Sequence, residues 1–254
     1  MKTVIVTGAS SGIGRAFAET LGNMEGVEEV WVIARRASRL EELKSTIRAT
    51  VVPMSIDLST AEGIETYRRA LADRSPDVVK LVNAAGFGRF GEFENVTLSD
   101  QLGMIDLNVG SLTAMTYHTI PYMRAGGEIY QIASLSSFMP IPYIGVYAAT
   151  KAYVLSLSRS LNVELKHRGI HVMAVCPSWT RTEFFDRAAE QPDVVVYYGK
   201  IYEVSRVVRR AIRDMKRRKD VSICGASVRA EVRLMKLLPH RLTMKLWCML
   251  QKKK

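Results

Sequence analysis

The sequence predicts an α/β protein with a doubly wound parallel sheet and helices on both faces. Three observations predict it. Seven short runs rich in β-branched residues recur along the chain, and stretches of helical length with recurring apolar positions separate them. A glycine-rich turn, Thr7-Gly8-Ala9-Ser10-Ser11-Gly12-Ile13-Gly14, joins the first run to the first helical stretch. Alternation of this kind gives a Rossmann-type fold.

In order, residues 3–7 (Thr-Val-Ile-Val-Thr) form the first strand, and 14–21 the helix entered through the glycine turn. Strand 30–33 leads into helix 38–48, and strand 51–56 into helix 61–73. Strand 79–82 precedes 97–123, read as one helix, and strand 127–133 precedes helix 146–167. Strand 170–175 leads to helix 204–219, and 221–224 closes the sheet. Beyond Gly225, apolar positions in 228–238 recur at helical intervals with bases between them, and Pro239 ends that helix. Leu242, Leu246, Met249 and Leu250 continue an apolar face beside Arg241, Lys245 and Lys252 to Lys254. There is no internal repeat, linker or low-complexity tract.

A chain of 254 residues that is 48% hydrophobic can fill one substantial core. Cys176, Cys224 and Cys248 are odd in number and lack metal-ligand spacing, so the expectation is free thiols in a reducing cytoplasm and no metal. Met1 runs directly into the first strand, so no signal peptide is expected, and no apolar run approaches the roughly 18 residues that span a bilayer. The net charge of +11 has one source: residues 206–254 hold 16 Lys and Arg against three acids, while the remainder holds 20 against 22.

Gly8, Gly12 and Gly14 stand where missing side chains let backbone N–H groups and a helix N-terminus approach a pyrophosphate. After the second strand come Ala34, Arg35 and Arg36, where an NAD site carries an acid for the ribose hydroxyls. A guanidinium suits a 2′-phosphate, so NADP(H) is the expected cofactor, with Ser10 adding a hydroxyl. The plainer reading of the two arginines is a pair of solvated charges opening a helix.

Tyr147 and Lys151 share a helix face at one-turn spacing, thirteen positions after Ser134. The ammonium favours the phenolate and is expected to bring a pKa of about 10 toward the working range of a general acid/base. Such a phenol trades a proton with an alcohol or a carbonyl.

With these residues in hand, the chain resembles the short-chain dehydrogenase/reductase family over residues 1–225. The glycine motif, Asp57 after the third strand, Asn83-Ala84-Ala85-Gly86 after the fourth, Asn108, Ser134, Tyr147 and Lys151 stand in the family's order. The resemblance implies that Asp57 and Leu58 meet the adenine, and that Asn83 to Gly86 line the cofactor and brace the sheet. It implies that Thr182, in the motif with Pro177 and Thr180, holds the nicotinamide carboxamide. Ser178 replaces the family's usual glycine and Ala133 its common second serine. The implied mechanism has Ser134 and Tyr147 bonding the substrate carbonyl and Tyr147 donating the proton. Lys151 tunes Tyr147 and binds the ribose, while Asn108 holds a proton-relay water.

Phe87, Phe90, Phe93, Met139, Ile141, Tyr143, Trp179, Phe184 and Phe185 are placed to line a substrate pocket. An apolar pocket with one polar focus suits a hydrophobic ketone or secondary alcohol, although the same residues also suit core packing. Residues 183–200 occupy the family's substrate-lid region.

The basic tail has two readings: an amphipathic segment on an anionic membrane, or packing on the body or a second subunit, which is preferred. No recognised motif points to nucleic acid. The expectation is a cytoplasmic NADP(H)-dependent oxidoreductase, with 1–225 the catalytic and dinucleotide-binding domain and 226–254 its basic helical extension. Similar proteins form homodimers or homotetramers through the helix bearing Tyr147, and the same is expected here. Two alternatives stay open, a membrane-associated reductase of lipid-like ketones and a non-catalytic dinucleotide sensor. Sensing needs no proton donor, so Ser134, Tyr147 and Lys151 argue against the second.

Overall fold

The computed structural model describes residues 1–184, 188 and 195–253. Seven strands form one sheet: β1 (Lys2–Thr7), β2 (Glu29–Ala34), β3 (Thr50–Ser55), β4 (Asp77–Asn83), β5 (Met123–Ile132), β6 (His171–Val175) and β7 (Val221–Ser222). Their order is β3-β2-β1-β4-β5-β6-β7 and every pairing is parallel. The winding therefore reverses between β1 and β4, and in sheets of this type a crevice opens at the carboxyl ends of those strands.

Side-chain alternation along the buried strands fills two cores. Val4 and Val6 of β1 point to one face, with Phe17, Ala18 and Leu21 of α1 (Gly12–Gly22) and Val207, Val208 and Ala211 of a later helix, Val204–Lys216. Ile5 points to the other face, with Tyr67 and Leu71 of α3 (Ala61–Arg74) and Met115 of α5 (Leu112–Thr119). Between α1 and α3, α2 is short (Ala37–Glu41) and gives way to a 3₁₀ turn, so the helix expected over 38–48 is broken.

The stretch 97–123 is likewise not one helix. It divides into α4 (Leu98–Ile105), capped by the Thr97 hydroxyl, a π-helical turn over Asp106–Ser111, then α5 and a 3₁₀ turn containing Pro121. Pro121 offers no N–H to continue the ladder, and Met123 already belongs to β5. After β5 come α6 (Gly145–Glu164) and, beyond β6, α7 (Val204–Lys216), α8 (Ala226–Met235) and α9 (His240–Leu250).

Candidate active site

The glycine turn leaves β1 at Thr7, whose hydroxyl accepts the backbone N–H groups of Ala84 and Ala85, both at 3.0 Å. That bond ties the turn to the end of β4, its neighbour across the switch point. Gly8 has φ +67°, and a Cβ there would stand 2.8 Å from the Ala84 and Ala85 backbone. Gly12 has φ +54°, and its missing side chain leaves room for Thr182, whose Cγ2 would lie 3.1 Å from a Cβ. No side chain caps α1, so its first N–H groups remain available to an anion at the cavity wall formed by Gly12, Ile13 and Gly14. A phosphate finds here the donors and the clearance it needs.

Positive charge stands beside this turn. Arg36 donates to the Ser10 hydroxyl from Nε at 3.2 Å and from Nη2 at 3.0 Å, and its Nη1 meets the Glu183 carboxylate at 2.8 Å. Arg39 approaches the same carboxylate at 4.0 Å. The Arg36 hydrogen bond is the chief cause that holds Glu183 below the usual carboxylate range. Arg35 sits 3.8 Å from Asp57, whose carboxylate accepts from Ser59 N and Oγ at 3.0 and 2.7 Å. Sequence reasoning found Ser10, Arg35 and Arg36 but missed Glu183.

Helix α6 carries Tyr147 and Lys151 one turn apart, both buried. Ser134 stands between β5 and a 3₁₀ turn; its Oγ accepts the Ser136 N–H at 3.2 Å, which leaves the hydroxyl hydrogen to donate elsewhere. Ser137 accepts the Ser134 N–H and donates to the Lys151 carbonyl at 2.8 Å, tying this turn to α6. Ser136 Oγ is buried in the cavity wall and has no hydrogen-bond partner among the described residues.

One electrostatic expectation is corrected. Burial pushes the Tyr147 phenol up to about 12, and a hydrogen bond with Ser134 only partly opposes it. Burial also pushes the Lys151 ammonium down to about 8. Lys151 does not lower the phenol because its Nζ donates to the Ile132 carbonyl at 2.8 Å and lies 5.7 Å from the Tyr147 ring centroid. Desolvation outweighs the pairing read from helical spacing.

Asn108 lies fully buried in the π-helical turn. Its Nδ2 donates to Phe87 O and Thr150 Oγ1 at 2.9 and 3.1 Å, and its Oδ1 accepts Phe87 N at 3.0 Å. The side chain thus bolts the β4 loop to α6. A Cβ at Gly86 would stand 2.7 Å from Asn108 Oδ1 and 3.4 Å from Lys151 Nζ, so the three meet at one point. Asn83 is turned into the core, donating to Thr116 and Gln131 at 3.0 and 2.9 Å. It braces the sheet and, like Asn108, is absent from the cavity wall.

A single cavity of about 1040 Å³ joins the other predicted residues: Gly8, Ser10, Ser11, Gly12, Ile13, Gly14, Arg35, Arg36, Asp57, Leu58, Ala84, Ala85, Gly86, Pro177, Thr180 and Thr182 along one part, and Ser134, Tyr147 and Lys151 deeper in. Phe87, Phe90, Met139, Ile141, Trp179 and Phe184 also line it. Phe90 and Phe184 pack 6.2 and 5.4 Å from the Tyr147 ring, centroid to centroid. Phe93 is exposed and, with Tyr143, lines a separate shallow recess, while Phe185 and the rest of 185–187 and 189–194 of the expected lid lie outside the described residues.

The basic tail supplies the wall that sequence reasoning missed. Met235 of α8 and Leu246, Trp247 and Leu250 of α9 face the cavity. Trp247 Nε1 donates to Pro142 O at 3.1 Å, and Gln251 bonds the backbone of Val196 and Tyr197 at 2.8 to 3.1 Å.

Comparison with known proteins places the chain in a family. The family model described as short chain dehydrogenase matches residues 2–193. Serine 3-dehydrogenase of Agrobacterium fabrum is 31% identical over 189 residues, 72% of this chain and 73% of its own. Among solved structures, a short-chain dehydrogenase from Sphingobium yanoikuyae in complex with NADPH superposes with TM-score 0.81 at 31% identity, covering 96% of this chain and 95% of its own. The bulky-bulky ketone specific alcohol dehydrogenase from Comamonas testosteroni gives 0.74 at 26% identity, covering 93% and 92%.

Proposed function

The chain belongs to the short-chain dehydrogenase family; from that premise we propose that it is an NADP(H)-dependent oxidoreductase that interconverts a bulky, apolar ketone and its secondary alcohol. The observation that carries the proposal is the convergence of Ser134, Tyr147 and Lys151 on a cavity where Phe87, Phe90, Met139, Ile141, Trp179 and Phe184 line the wall beside polar residues such as Arg89 and Asp100. The Comamonas testosteroni relative, specific for bulky-bulky ketones, supports this class.

The glycine turn, Ser10 and Arg36 would hold the cofactor, which supplies the hydride chemistry. Ser134 and Tyr147 bind the carbonyl oxygen, and in the reductive direction the Tyr147 phenol passes its proton to that oxygen as negative charge develops there. Lys151 holds its ammonium at the cavity floor, and Asn108 fixes α6 against the β4 loop. Departure of the phenolic proton creates an anion, and the hydrogen bond with Ser134 is the contact that favours it.

The test follows NADPH absorbance with a panel of ketones, for the native protein and Tyr147→Phe. The variant is expected to keep NADPH binding and to lose turnover by about 10²- to 10⁴-fold. Retained turnover sinks the acid role, and preference for small polar ketones over bulky apolar ones sinks the substrate class.

The same reading includes self-association. Leu98, Leu102 and Ile105 of α4, Tyr117 of α5 and Tyr153 and Val163 of α6 are exposed apolar residues, which favours burial against a second copy. Light scattering during gel filtration tests it, and a monomer at working concentration refutes it. No helix among the described residues is long and apolar enough to cross a membrane, and we propose a cytoplasmic location.

A further inference from the structure

Helices α8 and α9 meet at Pro239 in an elbow with two unlike faces. The inner face closes the cavity through residues such as Leu246 and Trp247. Nothing among the described residues covers the outer face: Leu237 is 82% exposed and Met249 64%, with Leu234 and Leu242 also in solvent. Along α9, Leu242, Leu246 and Met249 recur at i, i+4 and i+7, a stripe running the length of the helix. Arg233, Arg241, Lys245 and Lys252 border these residues and are exposed. Each of those four bases lacks an ion-pair partner among the described residues. Two of the three acids in 206–254 are engaged elsewhere, Asp214 with Arg210 and Lys219 and Asp220 with Arg159. The third, Glu231, faces the cavity.

We propose that this elbow is a docking surface for an anionic lipid bilayer, with α9 lying in the interface and the substrate cavity behind it. Exposed leucines ringed by unpaired bases match acyl chains below a layer of negative headgroups. A second copy is a poor occupant, because a twofold contact would set these bases against themselves with Glu231 alone, of the residues in 226–254, to answer them. Leu246 and Leu250 belong to both the cavity wall and the outer surface, so the apolar lining continues from site to surface. An apolar carbonyl compound dissolved in the bilayer would then enter without crossing water. The lipid contact itself does not depend on the reaction assigned above.

The experiment is sedimentation of the full chain with phosphatidylcholine vesicles, alone or mixed with phosphatidylglycerol. Two variants run alongside, Arg241→Gln with Lys245→Gln, and Leu237→Ser with Met249→Ser; NADPH binding reports folding. The native chain is expected to pellet with the anionic vesicles and to be released by salt. At about fivefold per base, the charge variant should bind about 25-fold more weakly with NADPH binding intact. The apolar variant should also lose the pellet. A native chain that binds NADPH and stays in the supernatant at low salt overturns the proposal, as does pelleting unchanged in both variants. A dimer that the Leu237 and Met249 substitutions dissociate, with no vesicle binding, overturns it in favour of a second copy.

Discussion

Replacing Lys151 by methionine should abolish turnover yet leave the protein at least as stable at neutral pH, and the stability difference should carry a particular pH dependence. The ammonium is buried and depressed from 10.5 to about 8 by desolvation. At about 1.4 kcal/mol per pH unit, that depression costs the folded state about 3 kcal/mol at pH 7. Methionine removes the cost but leaves the Ile132 carbonyl without its donor, a loss of about 1 to 3 kcal/mol. The sign with pH follows from where each state loses its proton. Below 8, both native and unfolded lysine are charged and the full cost is present. Between 8 and 10.5 only the unfolded chain keeps the proton, so native stability rises with pH. From pH 7 to pH 10 the stability of the variant relative to the native protein should therefore fall by about 2 to 3 kcal/mol. Tyr147 and Cys176, both pushed up by burial, are common to the two proteins and largely cancel. Urea unfolding followed by tryptophan fluorescence, with Trp31 fully buried, measures the difference, with far-UV circular dichroism as the check on folding. A difference flat to within about 0.5 kcal/mol between pH 7 and 10 refutes the reasoning.

Three further predictions concern the cavity's borders. Arg36→Gln should weaken NADPH about tenfold while leaving NADH nearly unchanged, by fluorescence titration; equal losses would remove the 2′-phosphate assignment. Glu183→Gln removes the carboxylate that stands 2.8 Å from Arg36 and should tighten NADPH, but not NADH, by about two- to fivefold. An unchanged ratio would mean that Glu183 does not compete for the guanidinium. Gln251→Ala breaks the bonds to Val196 and Tyr197 and should destabilise the tail by about 2 to 3 kcal/mol, read as faster proteolysis after residue 225 with the rest of the chain intact. Unaltered cleavage would show that α9 is held by other contacts.

What the sequence made legible is what local chemistry decides. Gly8 and Gly12 announce their turn because left-handed backbone and close approach to Ala84 and Thr182 exclude side chains. The seven strands announce themselves because both faces of a parallel sheet are buried. Legibility failed where distant contacts decide. Glu183 meets Arg36 across 147 positions, and no pattern around either residue encodes the pairing. Helix α9 shows an amphipathic face in its sequence, yet only packing reveals that Trp247 closes the cavity against Pro142. The break at Asn108 follows from three hydrogen bonds to Phe87 and Thr150, which outweigh the propensity of an otherwise helical run.

The reversed pKa shifts bear on when the proton moves. Helical spacing alone suggested an ammonium that drags a phenol toward neutrality, whereas burial moves Tyr147 up to about 12 and Lys151 down to about 8. A phenol at that value is protonated throughout the physiological range, so every molecule carries the proton that reduction consumes. An alkoxide forming on the substrate is a stronger base than the Tyr147 phenolate, so transfer from Tyr147 runs downhill. The equilibrium between ketone and alcohol is set by the substrate and the cofactor; what the raised phenol decides is that the proton stays on Tyr147 until negative charge develops on the carbonyl oxygen. The hydrogen bond with Ser134, which already works against burial at rest, gains strength in the same low-dielectric site as the phenolate forms.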